Sequence, residues 1–187
     1  AFEWDVPLTE GYKSIVVRPP HEHDRIDSSS FTGLDVPQIG RAIADTRPDV
    51  ALITGWYSMT LVRALFACRR MGVPTLYRGD SHLLGRTRLP LWRRLLLRFL
   101  YRQFTALTYF GAANHDYFRA LGVPEEKLFF APHSVNAEHF NPSGPAARAA
   151  ADKLRAELGL AGKRVVLFAG KFTAAKQPME LLEAFLQ

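Results

Sequence analysis

The chain has little cysteine and no long apolar run. Its 187 residues include one cysteine, Cys68, which cannot form an internal disulfide. Small secreted domains that depend on disulfides are therefore excluded, and a reducing compartment is the better fit. Crossing a bilayer takes about 20 consecutive apolar residues, and no run here approaches that length. These features describe a globular protein with one sizeable core and a smaller second element.

Acidic residues are absent from one long segment. None lies between Asp80 and Asp116, whereas six arginines do, and these six equal the formal net charge of +6. The rest of the chain is therefore balanced in charge. Three of the six recur every four residues and form one basic stripe on a predicted helix; they are Arg94, Arg98 and Arg102.

Two interpretations of this basic helix are open. Leu91, Leu95, Leu96, Phe99 and Leu100 cover the side opposite the arginines, so the helix is amphipathic. Such a helix can lie on an anionic membrane surface. It can equally pack on a sheet with its arginines in water. Nucleic-acid binding is not expected, because the excess charge is confined to one segment instead of being interleaved with aromatics on several elements.

Metal and dinucleotide sites also lack their sequence signals. His21 and His23 lie close together, but no second ligand pair has a suitable spacing, so no metal site is expected. A dinucleotide-dependent enzyme needs a glycine-rich first βα turn with an acidic residue about 20 positions later. That arrangement is not found in the residues present. We therefore expect no cofactor.

The chain does have a regular alternation of apolar runs and helical patterns. This order predicts the α/β class, a parallel sheet with helices on both faces. Left-handed C-terminal caps are expected where a glycine follows a helical segment, at Gly72, Gly122 and Gly159. The predicted strands are residues 14–17, 49–54, 75–77, 106–109, 128–131 and 165–169. The predicted helices are residues 37–45, 59–71, 91–103, 113–121, 146–158 and 176–186.

Small or polar residues follow three of the predicted strands. The carboxyl ends of parallel strands meet at one sheet edge, which is the usual ligand crevice of this class. The competing interpretation is that the glycines make turns, that Asp80 or Ser81 caps a helix and that Arg78 pairs with Asp80. The candidate cleft residues are Gly55, Trp56, Arg78, Asp80, His82, Gly111 and Asn114.

The last 24 residues, from Arg164 to Gln187, combine an apolar run, a glycine, two lysines and a helical pattern. Gly170 ends the run, and Lys171 and Lys176 follow in the predicted strand-to-helix loop. Free N–H groups at helix N-termini favour anions, so two added cations predict a phosphate site. A purely structural βα unit is the alternative.

Several motifs together resemble the family-4 (group 1) glycosyltransferases. They are FEWDVPLTEGY (2–12), YRGDSH (77–82), FGAANHDYF (110–118), LGVPEEKLFFAPHSVNAEHF (121–140) and the glycine–lysine loop near the C-terminus. Members of this family have two facing Rossmann-like domains and move a sugar from a nucleotide-sugar donor to an acceptor. The resemblance implies an incomplete N-terminal acceptor-side domain at 1–132, a linker at 133–145 and the first βα unit of a C-terminal donor-binding Rossmann-like domain at 146–187.

The resemblance also implies residue roles. His82 corresponds to a histidine beside the transferred sugar, where a neutral imidazole would orient an acceptor hydroxyl or stabilise developing charge. Gly170, Lys171 and Lys176 would hold the donor diphosphate and stabilise its charge as the glycosidic bond breaks. The family more often has arginine where Lys171 stands, and lysine supplies a point charge in place of a two-pronged contact.

The class of transferase follows from the same resemblance. No Asp-x-Asp motif is present, which favours the metal-independent, two-domain class over the metal-dependent one, and the family implies retention of configuration. The family's glycine-rich first loop and its pair of glutamates are not found in these residues. We therefore expect a piece of a longer cytoplasmic hexosyltransferase, inactive alone and peripheral at the inner membrane face if the basic helix docks there. The alternative is a basic membrane- or nucleic-acid-binding α/β module without catalysis.

Overall fold

The computed structural model describes residues 10–18, 30–84, 89–135, 137, 144–170, 172–173 and 176–186. The chain divides into two compact units, Ala1–His133 and Ser134–Gln187. Much of the predicted linker at 133–145 lies outside the described residues, and the assignment of the two units to two Rossmann-like domains stays a prediction.

The first unit is built around a four-stranded parallel sheet. Its strands lie side by side in chain order: β1 Ala51–Ile53, β2 Thr75–Arg78, β3 Ala106–Tyr109 and β4 Leu128–Phe130. Its helices are α1 Ile39–Thr46, α2 Met59–Arg70, α3 Leu91–Arg102 and α4 Ala112–Ala120, and a 3-10 turn at Glu125–Lys127 precedes β4. Parallel neighbours need crossover connections, which α2, α3 and α4 supply between consecutive strands. The predicted Rossmann-like α/β fold is confirmed.

The core of this unit is a cluster of aromatic rings between the sheet and helices α3 and α4. Tyr77 of β2, Tyr101 of α3 and Phe118 of α4 meet edge to face, with ring centroids 5.1, 5.8 and 5.3 Å apart. All three side chains are buried. Cys68 of α2 is also buried, as its apolar neighbours predict, and burial raises the pKa of its thiol.

The described residues of the second unit include two α-helices. They are α5 Pro145–Glu157 and α6 Pro178–Leu186. The predicted strand at 165–169 is wrong, because no strand is assigned there and the segment pairs with no other part of the described chain. The predicted strand at 14–17 is wrong for the same reason, since a strand requires a hydrogen-bonded neighbour.

Helix α6 begins two residues later than the sequence predicts. Gln177 has φ 50°, a left-handed conformation that the interior of a helix excludes. Pro178 follows, and its ring presets the φ of the first helical position. Lys176 therefore precedes the helix and does not lie in its first turn.

The three predicted glycine caps are confirmed. Each glycine has a positive φ, of 72°, 75° and 64° for Gly72, Gly122 and Gly159. In each case the following N–H donates to the carbonyl five residues earlier in the helix, at 2.9, 3.1 and 2.8 Å. This is the Schellman motif, which satisfies carbonyls that the helix end would leave unpaired.

We expect Phe118→Ala to lower the free energy of unfolding by about 3–5 kcal/mol, because it removes a buried ring from the aromatic cluster. Urea denaturation measures this loss. Tyr57→Ala is the control, since the Tyr57 side chain is 61% exposed. Equal losses in the two variants would contradict the assignment of the cluster as the core.

Candidate functional site

A cleft lies at the carboxyl edge of the sheet. Parallel pairing places Ile53 beside Tyr77 and Arg78 beside Thr108, so the loops after β1, β2 and β3 open on one edge. A cavity of about 300 Å³ lies against the loops after β1 and β2 and the helices α3 and α4. Its polar and aromatic lining comes from Trp56 after β1, Asp80, Ser81 and His82 after β2, Arg93 of α3 and Tyr117 of α4.

The structure brings some of the predicted cleft residues together. Trp56, Asp80 and His82 line the cavity, and Asn114 bonds to the same loop. Three others lie at the strand ends without lining it. They are Gly55, with φ 99°, Arg78, and Gly111, which precedes α4 in an extended conformation.

A chain of hydrogen-bonding side chains runs from the cavity wall into the core. The Trp56 Nε1–H donates to Tyr101 Oη at 3.2 Å, and Tyr101 Oη lies 3.5 Å from Tyr77 Oη. Burial raises the pKa of both tyrosines, so both hydroxyls stay neutral. The rigid core therefore sets the position of Trp56 at the cavity.

Gly79 is required by this packing. A Cβ at position 79 would lie 2.3 Å from Tyr77 Oη, far inside van der Waals contact. The sequence marks Gly79 only as a turn residue, because the approach of the Tyr77 hydroxyl depends on tertiary packing. Glycine thus lets the loop after β2 pass directly over the tyrosine.

Asn114 fastens the loop that carries Ser81 and His82. Its Nδ2 donates to the Ser81 carbonyl at 2.7 Å, and its side chain is buried in the first turn of α4. Its Oδ1 is buried without a hydrogen-bond partner among the described residues. An Asn at this helix start therefore positions a loop of the cleft.

The hydrogen bond of His82 determines its tautomer. The Leu84 N–H donates to His82 Nδ1 at 3.2 Å, so Nδ1 carries no proton. In the neutral imidazole the proton then resides on Nε2. The exposed ring can therefore offer an N–H donor at the cavity.

Sequence reasoning missed a second cluster at the sheet edge. Arg78 Nη2 lies 3.1 Å from His133 Nδ1, and the His133 ring lies 4.6 Å from the Phe110 ring. The proposed pairing of Arg78 with Asp80 is not among the ion pairs of the described residues. His133 was assigned to the linker, and 55 positions separate it from Arg78, so only the fold brings the two together.

The arginine stripe of α3 lies beside the end of α4. Arg94 Nη2 reaches the Ala120 carbonyl at 3.5 Å. The Arg98 guanidinium packs on Gly122, where a Cβ would lie 3.2 Å from Cζ. Arg98 and Arg102 line a second cavity, of about 210 Å³, together with Lys127. The helix C-terminus of α4 favours cations at this place.

The predicted phosphate loop is described only in part. Gly170 lies at a bend, and Lys171 lies outside the described residues. Lys176 is exposed, and its backbone N–H donates to the Thr173 carbonyl at 2.9 Å. Its grouping with Lys171 around a phosphate stays a prediction.

Neither a metal cluster nor a membrane span is found among the described residues. No three His, Cys, Asp or Glu side chains there gather as metal ligands would. In the same part of the chain, no helix has the length and apolar character that crossing a bilayer requires.

Comparison with known proteins gives a family match. The model of a family described as "Glycosyl transferase 4-like domain" matches residues 9–134. No curated protein and no solved structure matches the chain. The matched range contains the sheet, the cleft and the arginine helix.

We expect Asn114→Ala to destabilise the protein by about 1–3 kcal/mol, because the buried Asn114 amide and its part-buried bond to the Ser81 carbonyl are lost. The amides of residues 80–84 should also exchange hydrogen faster. Asp116→Ala on the same helix is the control, since the Asp116 side chain is 80% exposed. Unchanged exchange in the loop would show that Asn114 does not position it.

Proposed function

Because the chain belongs to the glycosyl transferase 4-like family, with a match over residues 9–134, we propose that it serves in the transfer of a hexose from a nucleotide-sugar to an acceptor. The observation that carries this proposal is the cleft at the carboxyl edge of the sheet. It lies inside the matched range and holds an aromatic side chain, a carboxylate and an imidazole. Such groups suit a polyhydroxylated ligand.

The cleft of the first unit is the acceptor side in this proposal. Asp80 can accept hydrogen bonds from sugar or acceptor hydroxyls, and the Trp56 ring offers an apolar surface at the cavity wall. The core holds Trp56 through Tyr101, and Asn114 holds the loop of Asp80 and His82. Groups held in this way lose little freedom when a ligand binds.

His82 acts as a hydrogen-bond donor in this proposal. Its Nδ1 is engaged by the Leu84 N–H, which supports donation from Nε2. That N–H would orient an acceptor oxygen or stabilise the negative charge that develops on a sugar or leaving-group oxygen. The bond from the Leu84 N–H supports charge stabilisation as the role of His82 in the proposal.

The second unit supplies the donor side. We assign the diphosphate to the loop of Gly170, Lys171 and Lys176, whose cations would balance the charge of the departing nucleotide without a metal. Retention of configuration and a cytoplasmic location belong to the same proposal. Both are inferred from the family, whereas the role of the loop is inferred from the positive charge of its two lysines.

We expect His82→Ala to lower turnover by about 10²–10⁴-fold, the usual contribution of a positioned proton-bearing group. His82→Asn is the informative second variant, because an Asn side chain can also accept a hydrogen bond from the backbone N–H of Leu84, two residues later. Steady-state kinetics with a panel of nucleotide-sugars, in the longer enzyme that we expect to contain this chain, measure both variants.

Low activity in both variants supports a chemical role for the imidazole. Activity restored by His82→Asn would show that His82 only shapes its loop. Wild-type enzyme that transfers no sugar from any donor would contradict the proposed function itself and favour the module without catalysis.

We expect Lys176→Ala to lower turnover more than donor affinity, because the lost contact strengthens as the diphosphate departs. A loss of about 2.7–4 kcal/mol in transition-state stabilisation would match removal of one preorganised donor. Lys163→Ala, an exposed lysine of the same unit, is the control. Wild-type turnover by Lys176→Ala at saturating donor would exclude this loop as the phosphate clamp.

A further inference from the structure

Helix α3 presents three different faces. Leu97, Leu100 and Tyr101 face the core and are buried. Arg94, Arg98 and Arg102 form a second face. The third face is apolar and unpartnered among the described residues, with side chains between 50% and 70% exposed: Leu91, Trp92, Leu95, Leu96 and Phe99.

The third face corrects an expectation from the sequence. Five apolar residues were expected to form one side of the helix, and of these Leu100 alone is buried. The reason is that Leu97 and Tyr101 occupy the side that faces the core. At 3.6 residues per turn they lie about 60° and about 100° round the helix from Leu100. The apolar stripe is therefore wider than the core can cover.

We propose that this apolar face, with the adjoining arginines, docks the protein on an anionic membrane surface. The five side chains recur at helical spacing and form one strip along α3. Contiguous exposed apolar strips of this kind mark interaction sites. Trp92 is the side-chain type that settles at the interface of a bilayer, where one end of the ring is apolar and the other wet.

The charges beside the strip identify the partner as anionic. No acidic residue lies between Asp80 and Asp116, so no charge on α3 offsets its arginines. Arg98 packs on Gly122, and Arg102 lies with Lys127 around the same cavity. An amphipathic helix that combines an apolar strip with such a row lies in the plane of an anionic lipid surface.

A second copy of this chain fits the face less well. A twofold contact would bring the same surface of both copies together. The arginine rows would then approach each other with no acidic residue of α3 to offset them, and like charges at an interface oppose association. Phospholipid headgroups supply the missing negative charge.

The test is co-sedimentation of the protein with vesicles at low salt. One set contains phosphatidylcholine alone and the other also contains phosphatidylglycerol. Binding should occur to the anionic set and be weak for the neutral one. Changing Arg94, Arg98 and Arg102 to Gln should weaken binding about fivefold per residue, and Leu95→Ser with Phe99→Ser should abolish it.

Two variants on α5 are matched controls. Leu154→Ser removes a Leu that is 54% exposed, close to the 57% of Leu95, and Arg148→Gln removes an exposed arginine. Both should bind as the wild type does. A second readout needs no variant. Lipids brominated in the acyl chain should quench the tryptophan fluorescence of the wild type, because the Trp92 ring would enter the bilayer.

Three results would overturn the proposal. They are equal binding to both vesicle sets, binding unaffected by the α3 variants, and a wild-type dimer in sedimentation velocity that Leu95→Ser with Phe99→Ser converts to a monomer. The last result would assign the face to a second copy. The vesicle experiment does not measure sugar transfer, so its result tests membrane docking even if the glycosyltransferase proposal fails.

Discussion

The packing of Tyr77 against Tyr101 and Phe118 is the contact on which the rest of the first unit depends. Tyr77 comes from the second strand, Tyr101 from α3 and Phe118 from α4, so one cluster joins the sheet to both helices. The two tyrosine rings also carry the hydroxyls that lead to Trp56. The stability of the unit and the shape of the cleft thus share one set of side chains, and a change in the core should be felt at the cavity.

Ion pairs support this arrangement at its edge. Glu125, in the 3-10 turn before β4, bonds His115 at 2.8 Å and Arg119 at 2.9 Å, both on α4. The pKa of His115 is raised by Glu125, and that of Glu125 is lowered by His115. Stabilisation by a raised histidine pKa is present below its unfolded value and fades as pH rises through the folded one. The carboxylate's part fades as pH falls through its lowered pKa, so the pair is strongest in the mildly acidic range between the two titrations.

Helix α3 joins the core, the cleft and the outer surface. Its buried side chains pack in the cluster, Arg93 reaches the cavity, and its remaining residues form the apolar strip and the arginine row. Each face of α3 thus carries side chains of a different kind, so substitutions on α3 should be tolerated less well than on an ordinary surface helix, which has one apolar face. In the proposed docked state, the same helix that shapes the cleft would hold it near lipid headgroups.

The sequence alone determined the class of fold and the positions of most elements. Apolar runs and helical periods lie close to each of the four strands and six α-helices that the structure describes, and glycines mark three helix ends, because these signals are local. Strand-end logic also identified Trp56, Asp80, His82 and Asn114, since parallel strands place their carboxyl ends together. The isolated apolar runs at 14–17 and 165–169 led to wrong strand predictions, because a strand requires a hydrogen-bonded neighbour that the run itself does not reveal. Tertiary structure alone decided the remainder. It paired Arg78 with His133, placed the buried Tyr77 hydroxyl against Gly79 and determined which leucines of α3 face the core. The first contact joins residues 55 positions apart, and the other two depend on how the helices compete for space in one core. Neither cause leaves a mark in the local pattern of residues.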